Sequence, residues 1–272
     1  MNYTITDMEF RLFSALVHQA SGISLHAGKK ALLVSRLLRR LRALGLKSFR
    51  AYYDYIMEEG SGSEFTCMLD LISTNKTEFF REPRHFEFLR NHILSDLKHQ
   101  KQIRIWSAAC SSGEEPYSIA MTVYDLRRSP FPIDCKILAS DLSTRVLTKA
   151  RSGIYNAENV QDLPPELVRR HFIRERGDNL GKFRMKPHLN NMIDFRRVNL
   201  MDERYPIKSP LDAIFCRNVM IYFNRETQEH LISKLYHYLK PGGYLFIGSS
   251  EGVQQMKQPF SHVTSTIYRR DA

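Results

Sequence analysis

The sequence predicts an α/β protein with an all-helical N-terminal domain and a larger domain built on a mostly parallel sheet. Residues 1–75 show only helical periodicity, whereas short apolar runs alternate with helical stretches from residue 76 onward. Residues 165–197 break that alternation and have the pattern of a small antiparallel β insertion. With 272 residues and 43% hydrophobic composition, the chain can form both a small core and a large one.

The N-terminal segment is predicted to contain about four helices. Gly22, Gly45 and the loop EEGSGSE at 58–64 interrupt its periodicity, as turns between helices do. We therefore place an all-helical domain at residues 1–75.

Five apolar runs predict the strands of the second domain, at residues 76–272. They are IRIWSAA, CKILASD, IDFRRVNL, LDAIFCRN and YLFIGSS. Helices of about 10–15 residues separate them, which implies crossover connections and parallel strands.

The predicted insertion contains RERGDNLGKFRMK, which has the pattern of a hairpin turning at residues 177–181. A long loop with strand-like flanks is the alternative interpretation. If the hairpin forms, its edge is rich in arginine and lysine and could bind a peptide by strand addition.

The net charge of +11 indicates an acidic partner but does not distinguish nucleic acid, anionic lipid and acidic protein. No run of 18 apolar residues occurs, and the first residues, MNYTITDMEF, do not resemble a signal peptide. The four cysteines have no CxxC spacing, which favours reduced core thiols over a disulfide framework or a zinc site. We therefore expect a cytoplasmic protein without membrane insertion.

Residues 29–50 contain eight basic residues and no acidic one. On a helical wheel Val34 and the leucines lie on one side, and the other side holds Lys29, Arg36, Arg39 and Arg40. A solvated surface is one explanation. The absence of nearby counter-charges favours the other, a docking face for an acidic partner.

The stretch WSAACSSGEEPYSIA at 106–120 ends a predicted strand, turns at a single glycine and begins a helix. Phosphate-binding loops use several glycines and leave the helix N-terminus to an anion, but here Glu114 and Glu115 occupy it. Asp141 follows the next strand, where α/β folds bind ribose hydroxyls. Together these features predict a nucleoside cofactor without a pyrophosphate, and S-adenosylmethionine is such a molecule.

Six motifs resemble those of the CheR family of bacterial chemotaxis methyltransferases. They are STNKTEFFRE at 73–82, WSAACSSGEEPYSIA at 106–120, ASDLS at 139–143, VNL at 198–200, FCRNVMIYF at 215–223 and LKPGGYLFIGSSE at 239–251. The resemblance implies a Rossmann-like class I methyltransferase domain. It also implies that S-adenosylmethionine donates a methyl group to glutamate side chains of chemoreceptors, leaving S-adenosylhomocysteine.

The resemblance also implies roles for individual residues. Asn75, Thr77 and Arg81 would line the methionine end of the cofactor and the methyl-transfer region, Ala108 and Glu114 the methionyl part, Asp141 the ribose, and Asn199 with Leu200 the adenine, while Arg217, Asn218 and Tyr222 would close the cofactor pocket. A glutamate carboxylate has a pKa near ~4.3 and needs no general base at neutral pH. We expect Arg81 and Tyr222 to be catalytic by orienting that carboxylate.

The expected partner is the acidic helical methylation region of a chemoreceptor, docked on the basic face of Lys29, Arg36, Arg39 and Arg40. In some members of the family the β insertion binds a peptide at the receptor C-terminus. We expect a monomer, with no nucleic acid and no metal bound.

Three other functions fit parts of the sequence. A methyltransferase acting on nucleic acid or another protein would share the cofactor fold, although FCRNVMIYF lacks the prolines of a base-holding motif. A hydrolase is suggested by GSSEG at 248–252, followed only by Glu251 and His262 as possible triad partners. A receptor-binding adaptor without catalytic activity is the third.

Overall fold

A computed structural model gives the fold of residues 3–94, 102–126, 134–251 and 258–271. Within the first of these ranges four longer helices pack around one apolar core. They are α1 (Asp7–Ser21), α2 (Lys30–Ala43), α3 (Phe49–Glu58) and α4 (Ser63–Ile72), with a 3₁₀ turn at Ala27–Lys29. Phe13, Leu37, Tyr52 and Met68 are fully buried between them. The predicted helical N-terminal region is confirmed.

The first helix has strong signals at both ends. The Thr6 hydroxyl accepts a hydrogen bond from the Glu9 N–H, and the Glu9 carboxylate accepts one from the Thr6 N–H. Gly22 ends the helix with a φ of 73°, and a Cβ there would lie 2.6 Å from the Met201 sulfur. Glycine is therefore required by both the turn and the close approach of the second domain.

The basic face predicted on α2 is only partly exposed, and this corrects the sequence analysis. Arg40 forms an ion pair with Glu64 of α4, and the Glu64 carboxylate also accepts a hydrogen bond from the Tyr52 hydroxyl (2.7 Å). Arg36 donates to the carbonyls of Ile72 and Ser73 at the end of α4. Both arginines are bonded within the protein because their acceptors lie on a neighbouring helix.

In the described residues the second domain contains a seven-stranded sheet. Its strands are β1 (Gln102–Ala108), β2 (Asp134–Asp141), β6 (Ile193–Arg197), β7 (Leu211–Cys216), β8 (Leu239–Phe246), β9 (Phe260–Thr264) and β10 (Ile267–Arg270). Their order is β6-β2-β1-β7-β8-β10-β9, and the first five are parallel. β1 is the middle of the five parallel strands, and β7 is buried throughout, as expected for a sheet covered on both faces.

Helices connect and cover these strands. The longer ones are α6 (Glu114–Leu126), α7 (Thr144–Ser152) and α11 (Arg225–Tyr238). The shorter ones are α5 (Arg84–Phe88), which continues as a wider turn over Leu89–Ile93, and α8 (Ala157–Val160), α9 (Pro165–His171) and α10 (Pro187–Asn190). The alternation of strand and helix confirms the predicted α/β class.

A separate three-stranded antiparallel sheet is inserted between β2 and β6. It consists of β3 (Ile154–Asn156), β4 (Phe172–Arg174) and β5 (Lys182–Met185) in the order β3-β5-β4. The predicted hairpin is therefore present as β4 and β5. The small sheet also contains β3, which lies before the predicted insertion at residues 165–197. The last residues of that range, Ile193–Arg197, pair with β2 in the large sheet.

The N-terminal helices contact the large sheet's loops directly. Ile23 forms an antiparallel bridge with Phe223, and the Ser24 N–H donates to the Tyr222 carbonyl (2.7 Å). The Asp70 carboxylate of α4 accepts a hydrogen bond from the Thr144 hydroxyl at the start of α7 (3.0 Å). Within the described ranges, no helix is long and apolar enough to cross a membrane.

We predict that replacing Glu64 with alanine destabilises the protein by about 3 kcal/mol, because Arg40 and the buried Tyr52 hydroxyl both lose their acceptor. Urea unfolding followed by circular dichroism measures the change. Glu58→Ala, at an exposed position on α3, is the control and should cost less than about 0.5 kcal/mol. Equal effects of the two substitutions would show that the buried ion pair does not stabilise the helical domain.

Candidate functional site

A cavity lies at the carboxyl ends of β1, β2 and β7, where open parallel sheets bind ligands. The N-terminal helices close its other side. Its lining includes Lys29, Thr74, Asn75, Lys76, Thr77, Glu78, Arg81, Ala109, Ser111, Glu115, Asp141, Asn199, Leu200, Arg217, Asn218 and Tyr222. The structure thus brings together most of the residues that the sequence motifs suggested, from segments far apart in the chain.

Five non-glycine residues near the cavity have left-handed backbone conformations. They are Phe80, Glu82, Ala109, Ser111 and Asn218, with φ between 50° and 68°. Each such residue costs on the order of 1–3 kcal/mol and persists only where its surroundings hold it. The strain is distributed over the segment before α5 and the loops after β1 and β7, all of which reach the cavity.

The loop after β1 is fixed by two contacts with β2. The Cys110 N–H donates to the Ser140 carbonyl (2.7 Å), and the Ser111 N–H donates to the Asp141 carboxylate (2.8 Å). Gly113 has a φ of 97°, and a Cβ there would lie 2.9 Å from the Ala150 Cβ. The single glycine is needed to bring α6 close to α7.

Asp141 lies at the end of β2 with one carboxylate oxygen bonded to the Ser111 N–H and the other to the Ser143 N–H (2.9 Å). Burial raises the pKa of this carboxyl group, and the backbone hydrogen bonds oppose that effect. Each oxygen retains a lone pair for a further donor. This geometry suits two neighbouring hydroxyl groups of a ribose.

Ala108 and Glu114 lie outside the cavity lining, in contrast to the expectation from the motif. Ala108 is the last residue of β1 and is buried in the core, and Glu114 accepts a hydrogen bond from the Ser112 hydroxyl (2.7 Å). Ala109 and Glu115 line the cavity instead. Ala109 follows the strand in a left-handed conformation, with a φ of 68°, and Glu114 and Glu115 are adjacent at the start of α6, so neighbouring side chains point in different directions.

Arg217 is buried, with 1% of its side chain exposed, and its guanidinium bonds to protein groups. One nitrogen pairs with Glu115 (3.1 Å), whose other oxygen accepts from the Ser107 hydroxyl (2.7 Å). A second nitrogen donates to the Arg81 carbonyl and lies 3.3 Å from Glu82. Arg217 therefore connects the ends of β1 and β7 to the segment that contains Arg81.

Glu251 holds the loop after β7 in place. Its carboxylate accepts hydrogen bonds from the N–H groups of Asn218 (2.8 Å), Met220 (2.7 Å) and Gly248 (2.6 Å). These contacts fix the turn that places Asn218 and Tyr222 at the cavity. They also argue against the hydrolase interpretation, because Glu251 is engaged by backbone groups and His262 lies on the edge strand β9.

The segment 74–83 is not helical, so Arg81 does not pair with glutamates along a helix. Within the described chain its guanidinium donates one hydrogen bond, to the Lys76 carbonyl (3.2 Å), and forms no ion pair. Asn75 is held by its carbonyl, which accepts from the Ser111 hydroxyl (2.9 Å). Arg81 and Tyr222 thus reach one cavity from two separate loops.

Asn199 and Leu200 line the cavity after β6, but the Asn199 side chain is already bonded. Its amide nitrogen donates to the Ala20 carbonyl of α1 (2.5 Å), and its oxygen accepts from the Met201 N–H (3.0 Å). Asn199 therefore connects the two domains next to the cavity.

These residues fit S-adenosylmethionine. Asp141 offers lone pairs for ribose hydroxyls, and Glu114 and Glu115 at the start of α6 disfavour a phosphate there. In the part of the chain that the structure describes, no cluster of metal-ligating side chains occurs.

The parallel sheet and this cavity define the class of S-adenosylmethionine-dependent methyltransferases. Two family models match the chain: "CheR methyltransferase, all-alpha domain" over residues 8–73 and "CheR methyltransferase, SAM binding domain" over residues 75–269. The chain belongs to the CheR methyltransferase family.

Curated relatives agree with this assignment. The chain is 41% identical to a chemotaxis protein methyltransferase of Escherichia coli, covering 97% of this chain and 91% of the relative. It is 39% identical to that of Borreliella burgdorferi over 100% and 97% of the two chains. It is 40% identical to chemotaxis protein methyltransferase 2 of Pseudomonas aeruginosa over 97% and 93%. The resemblance stated from the motifs is confirmed, and the nucleic-acid and adaptor alternatives are not favoured.

Three acidic residues of the site were not singled out as site residues by the sequence analysis: Glu82, Glu115 and Glu251. The first two lie inside quoted motifs, so the motif itself was the available signal. Glu251 ends another motif but gave no pattern that linked it to residues 218–220. Its role depends on contacts over about thirty residues of sequence.

His85 is buried next to the site, and its protonation is expected to make the stability of the protein depend on pH. Burial, followed by the charge of Arg217, lowers its pKa from 6.5 to about 4, although Glu82 opposes this. Between those values the unfolded chain binds a proton that the folded protein does not, so the stability falls as the pH is lowered from 6.5 to 4. We predict that His85 contributes roughly 3 kcal/mol to this loss.

Urea unfolding at several pH values measures the effect. His85→Gln should lose less stability than the parent protein across this window, whereas His92→Gln, at an exposed position nearby, should follow the parent. Parallel curves for the parent and His85→Gln would contradict the prediction.

Proposed function

We propose that the protein methylates glutamate side-chain carboxylates of chemoreceptors, forming glutamate methyl esters. The observation that supports this most directly is Arg81. Its side chain lines the cofactor cavity, and in the described residues it forms no ion pair with a protein carboxylate. An arginine that forms no ion pair within the protein can bind the carboxylate of an incoming substrate.

The proposed mechanism depends on positioning. S-adenosylmethionine, when bound, supplies a methyl group on a positively charged sulfur. A glutamate carboxylate is already ionised at neutral pH, so no side chain has to remove a proton. Orientation and exclusion of water can then contribute on the order of 7–11 kcal/mol. Arg81 would hold one carboxylate oxygen loosely, which leaves the other nucleophilic.

Tyr222 would complete the acceptor site from the opposite loop. Its carbonyl is fixed by the Ser24 N–H (2.7 Å), while its ring lines the cavity and is half-buried. The Tyr222 hydroxyl would serve as a hydrogen-bonding neighbour of the reacting groups. Asn75 and Thr77 would lie beside the methyl-transfer region, and Asp141 would bind the ribose hydroxyls.

We propose that residues 1–75 form a helical receptor-docking domain and that residues 76–272 form the methyltransferase domain. The docking face that we propose is smaller than the sequence suggested, because Arg36 and Arg40 have partners inside the protein. Arg39 is exposed on α2, and Lys29 precedes α2 and lines the cavity. These two residues would attract the acidic surface of a receptor helix.

The three-stranded sheet supports a second receptor contact. β4 is an edge strand, and Ile173 on it is 44% exposed next to Arg174. An exposed edge with an apolar and a basic side chain can pair with an extended peptide, such as a receptor C-terminus. We further propose that the protein is monomeric and acts in the cytoplasm, and its four free cysteines support the second of these proposals.

The decisive experiment measures transfer of labelled methyl groups from S-adenosylmethionine to a receptor cytoplasmic fragment. We expect label that mild alkali releases as methanol, because carboxyl methyl esters are base-labile. Alkali-stable label would show a methyltransferase with another acceptor atom. Binding of S-adenosylhomocysteine without any transfer would contradict the proposed acceptor.

Receptor docking gives a second prediction. Arg39→Glu should raise the KM for the receptor fragment several-fold at low salt with little change in kcat, and rising salt should reduce the difference. Lys136→Glu is the control, since Lys136 is exposed on β2, away from α2. If both variants change the KM equally, the effect reflects net charge and not a docking face.

A further inference from the structure

Glu82 and its partners form a largely buried ionic cluster that the mechanism above does not use. The cluster contains Glu82, Arg217 and Glu115, with His85 against its side. Glu82 does not line the cofactor cavity, in contrast to its neighbour Arg81. Any influence of Glu82 on the reaction therefore passes through another residue.

The contacts of Glu82 come from three separate segments. One carboxylate oxygen accepts hydrogen bonds from the Ser249 N–H, the Ser249 hydroxyl and the Asn218 side chain, all at 3.2 Å. The other oxygen lies 3.3 Å from Arg217 and 3.5 Å from the His85 ring. The loops after β7 and β8 are thereby attached to the residue that directly follows Arg81.

The Arg81 backbone is held on both sides. Phe80 and Glu82 are both left-handed, with φ of 53° and 57°, and the Arg81 carbonyl accepts a hydrogen bond from Arg217. The Phe80 N–H donates to the Ser118 hydroxyl of α6 (2.9 Å). Two strained residues around one arginine indicate that the direction of the Arg81 side chain is determined by these contacts.

The cluster is poorly optimised for stability. Among the described residues, Glu82 Oε2, His85 Nδ1 and Arg217 Nε are buried without a hydrogen-bond partner. Burial raises the pKa of Glu82, but Arg217 and the hydrogen bonds from Ser249 and Asn218 outweigh it and leave that pKa below its ordinary value. A buried charge network with unsatisfied atoms is weak evidence for a stabilising role.

We propose that Glu82 is the positioning residue for Arg81: by anchoring the segment to Arg217, Asn218 and Ser249, it aims the Arg81 guanidinium at the acceptor carboxylate. This inference rests on the proposed function, since it needs Arg81 to bind the acceptor. It predicts that Glu82 affects catalysis only while Arg81 is present.

A double-mutant cycle tests this dependence on the full-length enzyme. Arg81→Ala alone should lower kcat for the receptor fragment by about 100-fold, and Glu82→Ala alone should approach the same loss. In the Arg81→Ala background, Glu82→Ala should cost less than about threefold more. Both single variants should bind S-adenosylhomocysteine within about twofold of the parent, which also shows that they fold.

Two further variants keep the test falsifiable if Glu82→Ala does not fold. Glu82→Gln retains the oxygen that accepts from Ser249 but removes the charge facing Arg217, and we expect about a tenfold loss of kcat. Glu87→Gln, at an exposed position on α5, is the matched control and should retain parental kcat.

Independent losses would overturn the inference: if Glu82→Ala lowers kcat by the same factor with and without Arg81, Glu82 does not act through it. A parental kcat for Glu82→Gln together with parental S-adenosylhomocysteine binding would also overturn it. If Arg81→Ala itself keeps full activity, the proposed role of Arg81 fails, which separates that failure from one at Glu82.

Discussion

The buried guanidinium of Arg217 is the interaction on which the rest of the site depends. It joins Glu115 at the start of α6, Glu82 before α5 and the carbonyl of Arg81, while it is itself attached to the end of β7. Removing a charge from such a position would leave opposite charges unpaired in a region of low dielectric constant. The carboxyl ends of these strands are therefore connected to the segment around Arg81 through one side chain.

A second set of contacts attaches the helical domain to the same edge of the sheet. Gly22 permits α1 to approach Met201, Asn199 donates to the Ala20 carbonyl, and Ser24 donates to the Tyr222 carbonyl. These contacts make the N-terminal helices one wall of the cavity and not a separate appendage. A receptor segment docked on those helices would therefore reach a cavity whose Tyr222 is held by the same helical domain.

The proposed acceptor determines what the site has to do. A carboxylate acceptor, as proposed above, would be ionised without a base, so the protein would have to align the acceptor and exclude water. Strained residues are found in the segments around the cavity, such as Phe80 and Glu82 on either side of Arg81 and Asn218 after β7. Hydrogen bonds to α6 and between the loops after β7 and β8 hold these residues, including those that Glu251 accepts.

The sequence by itself determined the local features: helical periodicity over residues 1–75, strands alternating with helices from residue 76 onward, the hairpin of the insertion, and a strand end at Asp141. These follow from periodicity, turn residues and the geometry of parallel sheets, which are properties of short segments. Family motifs marked most of the predicted residues that line the cavity, but not Ala109 and Glu115, because a motif gives the order of residues and not the direction of each side chain.

Only the tertiary structure decided which charged side chains can face a partner or the cavity and which are paired within the protein. A helical wheel places Arg36 and Arg40 on one side of α2. It does not show that α4 packs against that side, where Glu64 pairs with Arg40 and the carbonyls at the end of α4 accept from Arg36. In the same way, the motif gave two adjacent glutamates, and the start of α6 determined that Glu115 and not Glu114 lines the cavity. The physical reason is that burial and pairing depend on neighbours distant in sequence, which no local pattern contains.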